Sequence, residues 1–256
     1  MTITQFPLFS IITVTYNAAD TVGVTVESVC SQTFGDFEHI IIDGASADNT
    51  IQIARNAGDK RLIIHSEADK GLYDAMNKGL SMARGQYVLF LNAGDTFHSP
   101  QSLSHYAEAA QNDADIIYAD TVLVDTNGNI IGPRHLSAPK VLTRSSFSHG
   151  MLICHQAFMV RRSLAPKYNL AYRFSADYDW TIRCIERTVP RKCINLESVE
   201  INYLSEGITT ANHHASLRER FNIMCHYYGT PLTLWRHIGF LGRAASRKLN
   251  KSELSE

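Results

Sequence analysis

The sequence predicts an α/β fold: a mostly parallel sheet flanked by helices, followed by a helical C-terminal extension. Three observations carry this. Short apolar, β-branched runs recur at 9–15 (FSIITVT), 39–44 (HIIIDG) and 86–91 (QYVLFL), as strands buried on both faces require. Between them the apolar residues fall at helical spacing. The connections are short and polar, which favours strand–helix alternation and parallel pairing.

Taken in order, 9–15 is the first strand. Asn17 to Asp20 offers helix caps, and Val22, Val26 and Val29 share one helical face. The second strand, 39–44, ends in a polar turn holding Ser46 and Asp48, and a helix then closes near Gly58. RLIIH (61–65) predicts a third strand. Met76, Leu80 and Ala83 define a helix from Leu72 to Arg84, with Gly85 expected at its C-terminal cap. After the strand at 86–91, Ser99-Pro100 predicts an N-cap and first helical residue for a helix bearing Leu103, Ala107 and Ala110. A strand follows at 116–120. Asn127-Gly128 between two apolar runs predicts a hairpin. The chain is irregular to about residue 160, then gives a helix opening near Ala176, a strand at 199–204, and helices at 213–228 and 231–249. One domain over 1–210 is expected, with a donor half to about 120 and an acceptor half beyond it. Residues 211–256 form the extension.

Bulk properties narrow the function. Basic and acidic residues balance at 24 and 25, so no electrostatic footprint for nucleic acid is present. The five cysteines form no C-x-x-C pair, which points to reduced thiols and a cytoplasmic setting. The N-terminal stretch lacks a basic, cleavable signal pattern, and no apolar run reaches the roughly 20 residues that cross a bilayer.

Ligands of parallel α/β sheets bind beyond the carboxyl ends of the strands. That singles out Tyr16 and Asn17, Asp43 to Ser46, and Asn92, Ala93, Gly94 and Asp95. Asp43 suits hydrogen bonding to a nucleobase or ribose, or a helix cap. Asp95 suits a divalent cation shared with substrate phosphates, or a simple turn. Asp177 and Asp179 open a helix, where acids serve the helix dipole or act as a base. Phosphate-loop, dinucleotide-fingerprint, nucleophile-elbow and zinc-protease motifs are all missing from the sequence.

The segments SIITVTYN (10–17), IIDGASADNT (41–50), SEADKGLYDAMNKG (66–79), GQYVLFLNAGD (85–95), HQA (155–157), SADYDW (175–180) and EGITT (206–210) together resemble the inverting family 2 glycosyltransferases of GT-A fold. Within them the chain is similar to bacterial exopolysaccharide transferases of the colanic acid WcaE type. The resemblance implies a UDP- or GDP-sugar donor, a saccharide or lipid-linked acceptor, and a divalent cation (Mn or Mg). It implies that Thr15, Tyr16 and Asn17 border the base, and that Asp43 and Ser46 hold base or ribose. Lys70, Gly71 and Asn77 would line phosphates and sugar beside Asn92, Ala93 and Gly94. Asp95 would bind the metal and Asp177 would be the catalytic base. His155, Gln156, Asp179, Trp180 and Thr209 would lie near sugar or acceptor. The chain departs from the family pattern at Leu91-Asn92-Ala93-Gly94-Asp95, where one carboxylate stands in place of several. It departs again at Ala176-Asp177 and at Glu206-Gly207-Ile208-Thr209. A nucleotidyltransferase and a non-catalytic sugar-nucleotide binder are the competing functions. The stripe Leu234, Ile238, Leu241, Ala245 and Leu249, with Arg236, Arg243 and Arg247 on another face, suits packing, a homodimer contact, or an anionic membrane surface.

Overall fold

The computed structural model describes residues 6–205 and 213–239. In chain order the elements are β1 (Phe9–Thr15), α1 (Val22–Cys30), β2 (Phe37–Asp43), α2 (Thr50–Ala57), β3 (Leu62–Ser66), α3 (Leu72–Met82) and β4 (Tyr87–Phe90). There follow β5 (Thr96–Phe97), α4 (Ser102–Ala110), the β6–β7 hairpin (Ile116–Val124 and Ile130–Pro133) and β8 (Phe158–Arg161). The series closes with α5 (Ala176–Ile185), β9 (Cys193–Leu204) and α6 (His213–Tyr228). Residues 230–239 are helical as well.

The strands build one nine-stranded sheet in the order β3-β2-β1-β4-β8-β6-β9-β5, with β7 paired to β6. The first four are parallel to one another. Antiparallel β8 joins that half to β6, which runs parallel to β9. Every residue of β1 and β2 is buried, and successive residues of β1 face opposite layers. Ile12 and Val14 enter the core beneath α3 and α5, whereas Phe9 and Ile11 pack with Leu103 and Tyr106 of α4. Polar side chains in these strands find partners across the sheet: Ser10 Oγ and the Arg84 guanidinium donate to Glu38, and Thr13 pairs with His39 Nε2 at 2.9 Å.

Register places the site. Thr15 lies opposite Asp43, and Asp43 opposite Ser66, so three polar side chains form a row at the carboxyl edge of β1, β2 and β3.

Three local expectations are corrected. Gly85 does not cap α3, which ends at Met82 with Ala83 in an extended conformation. Gly85 is small because β1 passes it: a Cβ there would lie 2.5 Å from the Ser10 nitrogen. The helix expected to begin at Pro100 begins instead at Ser102, because the Ser99 side chain accepts from Gln101 N and its backbone N–H donates to Ser102 Oγ. That local turn outcompetes helical continuation. The strand expected at 199–204 is also longer, starting at Cys193.

Candidate active site

At the end of β2 the Asp43 carboxylate is fully buried and accepts four hydrogen bonds. These come from Thr15 Oγ1 (3.1 Å), Ser46 N (2.9 Å), Ser46 Oγ (2.5 Å) and Ser66 Oγ (2.6 Å). Burial alone would raise its pKa. The donors from Ser46, Ser66 and Thr15 outweigh burial and hold the carboxyl below the usual range. Asn17, at a positive φ of 47°, accepts from Ala47 N and donates its own N–H to Ser46 Oγ. Tyr16 stands exposed beside this turn. The loop before α3 comes close: a Cβ on Gly44 would meet Asp69 Oδ2 at 2.6 Å and the Tyr16 ring at 3.3 Å. Lys70 and Gly71 (φ 114°) are exposed in that loop, with their backbone N–H groups donated to Asp74 and Asp69.

The turn after β4 supplies the next group. Gly94, at φ 97°, donates its N–H to Thr25 Oγ1, and no side chain fits there because Leu204 is against it. Asp95 is thereby carried to β9 and buried. Leu204 N donates to Oδ1 at 2.9 Å and Gln156 Nε2 to Oδ2 at 2.8 Å. Burial dominates those donors and pushes the carboxyl up to about 6. Beside it, Asn92 Oδ1 is buried and has no hydrogen-bond partner among the described residues.

Asp177, in the first turn of α5, accepts from Tyr73 Oη at 3.1 Å and lies 3.5 Å from His155 Nδ1. Burial raises its pKa, but the His155 hydrogen bond and charge, the Arg220 charge and the Tyr178 N–H prevail and lower it. On its other side the His155 ring meets Asn92 Nδ2 at 3.3 Å. A proton on Nδ1 lets the ring donate toward Asp177. Gln156 is oriented by Cys154 Sγ, which donates to Oε1 at 2.7 Å and leaves the amide nitrogen for Asp95. The single 3-10 turn His155–Ala157 thus ties both acids together.

Residues 10–168 match the sequence model of "Glycosyl transferase family 2". The chain belongs to that family. A PGL/p-HBAD biosynthesis glycosyltransferase of Mycobacterium bovis is 40% identical to this glycosyltransferase over 187 residues, 70% of each chain. S. aureus TarS in complex with UDP-GlcNAc superposes with a TM-score of 0.66 at 19% identity, covering 91% of this chain and 73% of that one. Glucosyl-3-phosphoglycerate synthase from Mycobacterium tuberculosis, solved with Mn2+, UDP and its product, gives a TM-score of 0.61 at 14% identity over 87% of this chain and 80% of that one. These likenesses establish the GT-A fold.

The glycosyltransferase fold gathers Asp43, Ser46, Tyr16 and Asn17 at one end of the edge, and Asn92, Asp95, His155, Gln156 and Asp177 at the other. It gives other expected site residues different work. Trp180 is 0% exposed, donates Nε1–H to Pro166 O and stacks on Tyr168 at 4.9 Å, so it presents no surface to a sugar or acceptor. Asn77 is buried and grips the Tyr168 backbone through both amide atoms. Asp179 is spent on Arg183 and Tyr227. Ala93 packs beside Val22 and Val26, and Thr209 lies outside the described residues. The site also recruits residues that pattern reading missed. Ser66 needed the β2–β3 register to be seen, and Tyr73 needed the packing of α3 on α5. Arg220 and Tyr203 come from later elements, and half-buried Tyr203 lies within the fields of Asp95 and Asp177.

Proposed function

We propose that this family 2 glycosyltransferase transfers one sugar from a UDP- or GDP-sugar to a saccharide or lipid-linked acceptor, inverting the anomeric centre, with Asp177 as base. The pairing of Asp177 with His155 and Tyr73 carries the reading. It keeps a carboxylate ionised in a buried place, where its basicity is available to an acceptor hydroxyl. Asp177 takes the hydroxyl proton, and the acceptor oxygen bonds the anomeric carbon from the face opposite the diphosphate. The carbon–oxygen bond to the diphosphate breaks and its electron pair leaves with that group. The turn that Asp43 braces, with Tyr16 and Asn17 exposed beside it, holds the base or ribose at the far end, with Lys70 and Gly71 beside the phosphates. The UDP-GlcNAc bound by TarS and the UDP bound by glucosyl-3-phosphoglycerate synthase support a nucleotide-sugar substrate of this kind.

A divalent cation fits the residues present, sparsely. Among the described residues each Asp95 oxygen accepts one hydrogen bond and keeps a lone pair, and Asn92 Oδ1 has no partner. Both are the hard oxygen ligands that Mg²⁺ and Mn²⁺ prefer. Among the described residues no cluster of three or more His, Cys, Asp or Glu is arranged to hold an ion, so donor phosphates would complete the set. When bound, the cation supplies positive charge against the departing diphosphate.

The setting we assign is bacterial cell-surface polysaccharide biosynthesis of the WcaE type, at the inner face of the membrane. Two features support it: the order of motifs, and the exposed Leu234, Trp235 and Ile238 beside Arg236. Among the described residues no helix is long and apolar enough to cross a membrane, so such contact would be peripheral.

The test is a panel of UDP- and GDP-sugars with Mn²⁺ or Mg²⁺, scored for donor binding and transfer in the native enzyme and in Asp177→Asn. The variant is expected to bind the selected donor and lose transfer by at least about a hundredfold. Near-normal transfer by it would remove Asp177 as base. Donor binding with no release of nucleoside diphosphate by the native chain would make it a non-catalytic binder.

A further inference from the structure

The helix that carries Asp177 is closed at its start by a residue from outside it. Ser175, the residue preceding α5, makes no side-chain bond to the first turn. The backbone leading into the helix is held instead by Glu219 of α6. Glu219 Oε1 accepts from Arg173 N at 2.9 Å, and Oε2 accepts from Phe174 N at 2.8 Å and Ser175 N at 2.9 Å. Ser175 Oγ is bound in turn to the Ser216 hydroxyl (3.0 Å) and carbonyl (3.2 Å), one turn earlier on α6. A carboxylate on three successive backbone donors is a charge-assisted nest, stronger than neutral bonds of the same number. It spans the residues just before Asp177.

We infer that Glu219 is a positioning residue for glycosyl transfer: by clamping backbone 173–175 it fixes where α5 delivers Asp177. This rests on the reading of Asp177 as the base. The same clamp orients Arg220, the next residue of α6, whose charge acts on Asp177 and on the Tyr73 hydroxyl bound to it. Helix α6 is therefore part of the acceptor-side machinery. No motif marks Glu219, because its partners are backbone groups 44 to 46 residues away.

Steady-state transfer by the full chain, with donor binding measured by calorimetry, tests this in Glu219→Ala, Glu219→Gln and Asp177→Asn. Loss of the clamp is expected to lower kcat about 10- to 100-fold, the scale on which small misplacements act, with donor KM and Kd within about twofold of native. Glu219→Gln keeps one oxygen that retains the Phe174 and Ser175 bonds, and is expected to recover at least about a third of native kcat. Should Glu219→Ala fail to fold, the glutamine variant and its donor affinity decide alone. Native kcat in Glu219→Ala, or donor affinity falling in step with kcat, overturns the proposal. If Asp177→Asn abolishes transfer while Glu219→Ala does not, only this inference falls. If Asp177→Asn transfers normally, the base assignment falls and this inference with it.

Discussion

Gln156 donates its side-chain amide to Asp95 Oδ2 at 2.8 Å, while the residue before it in the chain, His155, faces Asp177. One short turn thus reaches both Asp95 and Asp177. Gln156→Leu keeps the volume but leaves a buried carboxylate short of one donor, a loss of about 1–3 kcal/mol. Transfer is expected to fall about tenfold or more in kcat/KM, with Asp95→Ala no worse in combination than alone. Initial-rate kinetics of the two single variants and the double variant checks this.

His155 sets the ionisation of Asp177. Burial pushes Asp177 up, and the His155 contact is the foremost interaction pulling it down. Its folded pKa lies below the ordinary value, so the charge contributes stability above that ordinary value and the contribution is lost as pH falls through the folded one. Taking His155 away leaves burial opposed only by Arg220, the Tyr178 N–H and Tyr73. In His155→Ala the acid limb of the kcat–pH profile is expected to move to higher pH. An unmoved limb would show that His155 does not govern the base.

The hydroxyl row predicts a different signature. Ser66 Oγ donates to Asp43 at 2.6 Å, on the far side of the sheet edge from Asp177. Ser66→Ala is expected to raise donor KM several-fold and to cost about 1–3 kcal/mol of stability, leaving kcat at saturating donor within about twofold. Thermal melts with and without UDP or GDP separate the two effects.

How much of this was legible in the sequence differs by element. Strands β1, β2 and β4 could be read because their apolar runs are buried on both faces, and Asp43 and Asp95 follow directly from where those runs stop. Ser66 could not be read, since only the register Asp43 opposite Ser66 gives it a role. Tyr73 and Asp177 are 104 residues apart, and nothing local to either announces the bond. Trp180, three residues past Asp177 in the same motif, is 0% exposed and engaged by Pro166 O and the Tyr168 ring, contacts that lie 12 to 14 residues away and that no local pattern announces.

The helical residues 230–239 give the last prediction. Trp235 is 70% exposed, Ile238 64% and Leu234 52%, an arrangement that leaves large apolar side chains in water. Burying such side chains is worth about 1.5–3 kcal/mol each, and nearby basic residues add about 1 kcal/mol apiece at an anionic surface. The full chain is therefore expected to float with vesicles containing anionic lipid and to dissociate as salt is raised. Trp235→Ser with Ile238→Ser is expected to abolish flotation while leaving transfer to a soluble acceptor within about twofold. Equal flotation of native and variant protein would mean that this stripe does not hold the membrane. A concentration-dependent dimer lost in the same variant would assign it to a second copy of the chain, because exposed apolar patches on soluble proteins mark one kind of contact or the other.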